Sequence, residues 1–195
     1  MAAAIGAGLP VLEPTGQMIV DIGGGTSEIG VISLGGLVLN RSLRIAGDEL
    51  TEAVINFCRL KYNLLLGEST AEEVKIDIGS AYPLKTEAEG KPLQTVVRGR
   101  SLEDGLPKSQ KIGSVELREA LAPVVRQILS EIALVIEETP PELVSDILEK
   151  GMTLAGGGSL LRGMDKLISE EMVMPVWITD KPMEAVVRGE GKLLE

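Results

Sequence analysis

Residues 21–33 read DIGGGTSEIGVIS, two apolar runs joined through three consecutive glycines. The run before the glycines, residues 18–22 (MIVDI), has the length and apolar character of a short strand. The run after them, residues 28–34 (EIGVISL), predicts a second. A third, residues 37–45 (LVLNRSLRI), follows a tight turn expected at Gly35-Gly36. Short strands separated by Gly-rich turns predict an antiparallel meander. In the first turn a strand delivers Asp21, then Gly23, Gly24 and Gly25, then the Thr26 hydroxyl. Glycine has no Cβ, so its backbone N–H groups can approach a phosphate closely or adopt φ > 0. Asp21 suits a hydrated magnesium ion, which is bound through carboxylate and water. The same residues also suit an ordinary glycine-rich hairpin turn.

A second triplet lies far along the chain. Residues 152–155 (MTLA) predict a strand that ends in Gly156, Gly157 and Gly158. Ser159 is the expected cap of a helix carrying Leu160, Leu161, Met164, Leu167 and Ile168. A strand running into a helix N-terminus suits an anion or a flat ligand over bare backbone. The alternative is a tight turn capped by Ser159. Neither triplet is a Walker-type loop, because GxxxxGK[ST] is absent. Neither fits GxGxxG, where Glu28 and Leu161 replace the last glycine.

Between the triplets, Asp48 is the expected N-cap of a helix with Leu50, Val54, Phe57 and Cys58 on one face. Cys58 therefore reads as a small packed hydrophobe rather than a nucleophile. Residues 71–78 predict a helix. Residues 85–113 are polar, with Gly and Pro scattered and one lone strand expected at 94–98. Ser114 is the expected cap of a long helix striped with Leu117, Leu121, Val125, Ile128, Ile132 and Val135, with Pro123 kinking it or marking its first turn. Thr139-Pro140-Pro141-Glu142 reads as a capping box that opens a helix ended by Gly151. A strand at 176–179 and a helix at 183–194, interrupted by Gly189 and Gly191, complete an α/β layout with a mixed sheet.

Composition excludes several chemistries. The 195 residues include no histidine, which removes His-based catalysis and His-ligated zinc. The single cysteine allows no internal disulfide. A net charge of −10, with no basic stripe interleaved with aromatics, argues against nucleic acid. No apolar run reaches bilayer length, so a cytoplasmic protein is expected.

The quoted motifs, taken in order with RIAGDEL, AAAIGAGLPV, GESTAEEVKIDIGSAYP and TPPELVSDILEKGMTLAGGGSLLRG, resemble the actin superfamily. Within it they are most similar to the MreB family of bacterial cell-shape actins, over essentially the whole chain. The resemblance implies the second lobe of an actin-like ATPase (ribonuclease H-like). The expected core subdomain covers 15–68 and 113–180, with a small inserted subdomain at 69–112. Residues 1–14 and 181–195 are expected to pack on a preceding lobe, and alone to expose Ile5, Leu9, Val186 and Val187.

The resemblance further implies ATP and Mg²⁺ as ligands, with Asp21 on the metal and Gly23, Gly24, Gly25 and Thr26 on the β- and γ-phosphates. It sets Gly156, Gly157, Gly158 and Ser159 beside the adenosine. Glu72, Glu73, Val74 and Lys75 fall on the helix that closes over base and ribose. From the residues alone that charge cluster is a solvated helix face. Gly47 and Asp48 fall near the nucleotide. The family's other phosphate hairpin and its catalytic glutamate precede AAAIGAG, so no catalytic residue is assigned here and hydrolysis is expected to be incomplete.

Implied partners are further copies of the chain in a filament and the cell-wall elongation machinery, with membrane contact only indirect and filaments associated with the membrane. The alternative is a non-enzymatic interaction module acting on full-length filaments. A sugar-kinase or chaperone relative is disfavoured by the short 69–112 insert.

Overall fold

The computed structural model describes residues 1–194. In chain order, a short helix α1 (Ala2–Gly6) precedes strands β1 (Gln17–Ile22), β2 (Ser27–Ser33) and β3 (Gly36–Leu43). Helix α2 (Gly47–Tyr62), strand β4 (Leu64–Leu65), helix α3 (Glu68–Ile78) and a single turn α4 (Lys85–Ala88) follow. Then come β5 (Gln94–Ser101), β6 (Pro107–Gly113), the long α5 (Ser114–Glu138) and α6 (Pro141–Lys150). The chain closes with β7 (Met152–Ala155), α7 (Met164–Met172), β8 (Val176–Ile178) and α8 (Ala185–Leu193).

The described chain divides into two compact units, one of residues 1–47, 127–160 and 165–194, the other of 48–126 and 161–164. Beside the 69–112 segment, the second takes in nearly all of α2 and the first half of α5.

The first unit is built on a mixed sheet of order β3-β2-β1-β7-β8. β1 pairs with β2 and β2 with β3 in antiparallel register, whereas β7 runs parallel to both β1 and β8. Central β1 is buried at every position but Asp21, as its near-continuous apolar run requires. The β2–β3 turn sits one residue earlier than expected. Leu34 and Gly35 are its centre, with φ of 51° and 74°, while Gly36 already pairs with Ser33. A two-residue hairpin of this hand needs φ > 0 at both central residues. Leu34 is held there by its N–H bond to the Glu13 carbonyl at 3.0 Å, beside Gly35 N–H to Val11 at 2.7 Å.

Helices α1 and α8 pack on each other and on the sheet through Ala3, Ala4, Ala185, Ile19, Ile32 and Ala155. Their crossing is backbone on backbone. A Cβ on Gly6 would lie 1.7 Å from the Ala185 carbonyl oxygen, and one on Gly189 1.8 Å from that of Ala2. Gly189 therefore does not interrupt α8 but admits its neighbour. Val186 and Val187 are exposed, whereas Ile5 and Leu9 are half-buried. Glu195, part of the 181–195 segment, lies outside the described residues.

In the second unit, β4-β5-β6 form a three-stranded antiparallel sheet. The strand expected to stand alone is half of a hairpin. Its partner PKSQKIG escaped notice because its half-buried positions are Lys108 and Gln110, not hydrophobes. The Asp104-Gly105 turn, with Gly105 at φ 77°, was the available signal. Buried Val97, Ile112, Leu117 and Leu121 belong to this unit's core.

Several helix ends differ from expectation. α2 begins at Gly47, so Asp48 lies inside its first turn, where a carboxylate suits the helix dipole. The Ser114 hydroxyl turns away from α5 and donates to Glu87 at 2.5 Å, while Glu116 accepts the Gly113 N–H at 2.7 Å. Pro123 lies inside α5 and is not its first turn. Thr139 donates back to the Val135 carbonyl at 2.6 Å and caps nothing in α6. Pro141 does open α6, and Gly151 ends it at φ 84°.

Glu87 ties α4 to α5. It accepts from Ser114, from Arg118 at 2.5 Å and from the Leu84 N–H at 3.3 Å. Burial opposes its ionisation, yet these donors hold its carboxyl below the usual range. Such a lowered group contributes stability above its unfolded pKa and loses that contribution as pH falls through its folded one. We expect Glu87→Gln to cost about 1–3 kcal/mol at pH 7 in urea melts. The gap from wild type should narrow as pH falls through the lowered folded pKa, beneath the usual carboxylate range. An unchanged midpoint at pH 7 would contradict the tie.

Candidate functional site

Both glycine triplets leave the same end of the first unit's sheet. β1 and β7 are parallel neighbours, with Asp21 level with Ala155. The chain therefore turns into Gly23–Gly25 and into Gly156–Gly158 side by side. Carboxyl ends of adjacent parallel strands are where open α/β sheets take ligands.

The contact between the loops is close. Gly156 has φ 79°, and a Cβ there would lie 2.2 Å from the Ile22 carbonyl oxygen and 2.5 Å from Asp21 Oδ1. A Cβ on Gly158 would lie 2.3 Å from Ile22 Cγ2, whereas one on Gly157 would meet only Met183, at 3.9 Å. Gly47 closes against the first loop, its N–H bonded to the Gly23 carbonyl at 3.1 Å.

The first loop is held at its base and open at its tip. The Gly23 N–H bonds the Thr26 carbonyl at 2.9 Å, and the Ser27 hydroxyl donates to the Ile45 carbonyl at 2.7 Å. Gly24, Gly25 and Thr26 are exposed. Gly23 does not occupy the left-handed region, so its use there is close approach rather than φ > 0.

The second loop departs from the expected helix N-terminus. Residues Gly157–Leu160 form one 3-10 turn, and α7 starts only at Met164. Ser159 is fully buried and donates to the Gly156 carbonyl at 2.7 Å. It fastens the loop and caps no long helix. Gly163, at φ 74°, breaks the chain between turn and helix.

Asp21 is half-buried on β1 and faces Glu28 across the ladder. Burial raises its carboxyl pKa, and the Glu28 charge raises it further. A cation beside it would relieve both costs. Among the described residues no group of three or more carboxylate or thiol ligands could hold a metal by itself. One carboxylate plus water and phosphate oxygens is the usual magnesium arrangement, so Asp21 fits that ion.

In the second unit, Glu72 and Lys75 on α3 pair at 2.5 Å. Thr51 of α2 joins them, donating to Glu72 and accepting from Lys75 Nζ at 2.9 Å. Burial resists ionisation of Glu72, but the bonds from Lys75 and Thr51 outweigh it and lower its pKa. Lys75 is buried, so this pair is no solvated face. Glu73 is exposed, and Val74 is in the core. Sequence reasoning missed Thr51 and Glu28: a hydroxyl within a helix and a charge on a strand carry no signal of their own. Cys58 is fully buried, with its thiol pushed up to about 12 by burial and by Glu116, as expected for a packed side chain.

A meander joined to parallel strands, with glycine loops meeting at one sheet end, defines a lobe of an actin-like fold. The solved MreB5 of Spiroplasma citri bound to ADP superposes with a TM-score of 0.94 at 36% identity, covering 100% of this chain and 57% of that one. The MamK double helical filament, at 22% identity and a TM-score of 0.78, shares the fold. The chain belongs to the MreB/Mbl family, whose model matches residues 1–195. It is 51% identical to the cell shape-determining protein MreB of Escherichia coli K12 over 196 residues, covering 100% of this chain and 55% of that protein. It is 41% identical to Mbl of Bacillus subtilis over 193 residues, covering 99% of this chain and 56% of that one. The chain thus spans about half the length of the curated relatives it matches.

Proposed function

We propose that this chain binds adenine nucleotide with Mg²⁺ as part of a filament-forming, cell-shape-determining bacterial actin. The observation that carries the reading is the meeting of the two glycine loops beside Asp21 at one sheet end. Backbone N–H groups of Gly24 and Gly25, with the Thr26 hydroxyl, would bind phosphate oxygens. Gly156–Ser159 would offer bare backbone to the adenosine. Asp21 would hold the magnesium ion, which neutralises phosphate charge when bound. In the second unit, Glu72, Glu73, Val74 and Lys75 keep the role given by the resemblance, contact with base and ribose. The nucleotide-bound MreB5 structures, with ADP and with AMPPNP, support the ligand class.

Association with further copies in a filament, contact with the cell-wall elongation machinery, and filaments lying at the membrane belong to the same proposal. Among the described residues no helix is long and apolar enough to cross a membrane.

Titration calorimetry with Mg-ATP tests the site. Saturable heat that disappears in Asp21→Ala, with the fold intact by circular dichroism, is expected. Equal binding by the variant would remove Asp21 from the metal, and no binding by a cooperatively melting chain would overturn the nucleotide site for this chain.

A further inference from the structure

The β5–β6 ribbon concentrates positive charge in an acidic chain. Overall, 29 Asp and Glu outnumber 19 Lys and Arg. Yet residues 94–101 and 107–113 contain Arg98, Arg100, Lys108 and Lys111 and no carboxylate. Val97 and Ser101 of β5 are buried on one face. Strand alternation turns Val96, Arg98 and Arg100 to the other, where all are exposed. The register sets Lys111 opposite Val96, Ser109 opposite Arg98 and Pro107 opposite Arg100, and these too are exposed. Lys108 belongs to the opposite face and donates to the Tyr62 carbonyl at 2.8 Å. Among the described residues no ion pair engages Arg98, Arg100 or Lys111. β6 is also the last strand of its sheet, so no further strand pairs with its outer edge.

We propose that this face binds an extended acidic segment of another protein, added as a strand beside β6 with carboxylates at alternate positions. Arg98 and Arg100 stand two residues apart, about 6.8 Å along β5, which is the repeat of alternate side chains on an added strand. They would reach it across β6, over the small Ser109 and Pro107 opposite them, while Lys111 of β6 would meet it directly. Main-chain pairing would supply affinity and the cations specificity. Lysine and proline on an edge strand ordinarily discourage pairing. Here Pro107 stands only at the first position of β6, and the cations disfavour basic segments and favour an acidic one, which makes the guarded edge selective. Other anions fit less well. Single-stranded nucleic acid needs aromatic stacking platforms, and this face has none. A polybasic lipid site uses roughly 4–8 cations, and this face presents Arg98, Arg100 and Lys111.

The test is fluorescence anisotropy of a fluorescein-labelled decapeptide of alternating Glu and Thr, added to the whole chain. Saturable binding that weakens with salt is expected, with amide exchange slowed along β6. The triple variant R98S/R100S/K111S should lose about tenfold or more in affinity without a change in melting temperature. An alternating Glu-Pro peptide, unable to pair, should bind no better than the triple variant binds Glu-Thr. Equal affinity of wild type and triple variant would overturn the proposal, as would equal binding of the proline peptide. So would tighter charge-dependent binding to phosphatidylserine vesicles, or self-association of the chain that vanishes in the variant.

Discussion

Gly156→Ala is expected to destabilise the first unit by about 3–5 kcal/mol, among the largest effects of a single methyl group. Two costs add. The residue sits at φ 79°, where a side chain is strained. The new Cβ would also fall 2.2 Å from the Ile22 carbonyl oxygen and 2.5 Å from Asp21 Oδ1. The Asp21 carboxylate can swing aside, but the Ile22 carbonyl cannot, since Ile22 is fully buried in the central strand. Gly158→Ala should follow closely, pressing on the Ile22 side chain at 2.3 Å. Gly157→Ala, with 3.9 Å to its nearest neighbour, should stay within about 0.5 kcal/mol of wild type. Urea denaturation of the three variants reads this pattern of severe, neutral, severe. A Gly156→Ala midpoint equal to that of Gly157→Ala would refute the close contact between the loops.

Asp21→Asn should stabilise the chain without ligand while weakening the proposed binding of Mg-nucleotide at least about tenfold. Burial, then the Glu28 charge, raise the Asp21 carboxyl above its unfolded value. A raised acid favours the fold only while protonated. Its contribution is lost as pH rises through the unfolded value toward the folded one. At pH 7 the ionised group is therefore a cost, and asparagine removes it. The variant should melt higher than wild type at pH 7, and the difference should shrink below pH ~3.8, where the carboxyl is protonated in both states. Such a trade between stability and binding is usual for a ligand-holding charge. A lower melting temperature for the variant at pH 7 would contradict this account of Asp21.

Much of the sheet was legible because its signals are local. MIVDI, EIGVISL and LVLNRSLRI are apolar runs cut by glycine, and the structure has β1, β2 and β3 there. MTLA and the final short strand were equally plain. What escaped were features in which polar side chains serve buried structure. Ser114 and Thr139 look like caps, but their hydroxyls find Glu87 and Val135 instead. β6 was hidden by lysines. Ser159 looked like the start of a helix because nothing in Leu160–Leu161 announces a 3-10 turn.

The sequence by itself determined the α/β class, the meander, the packed state of Cys58 and the glycine triplets as the places to look. These follow from residue type and spacing, which act over a few positions. Only the tertiary structure decided that Asp21 stands level with Ala155 and that Gly156 lies against Ile22. It alone decided that Gly6 and Gly189 meet, and that Thr51 completes the Glu72–Lys75 pair. Those relations join residues far apart in the chain. They arise from which strands become neighbours and how closely backbones approach, and no local preference encodes either one.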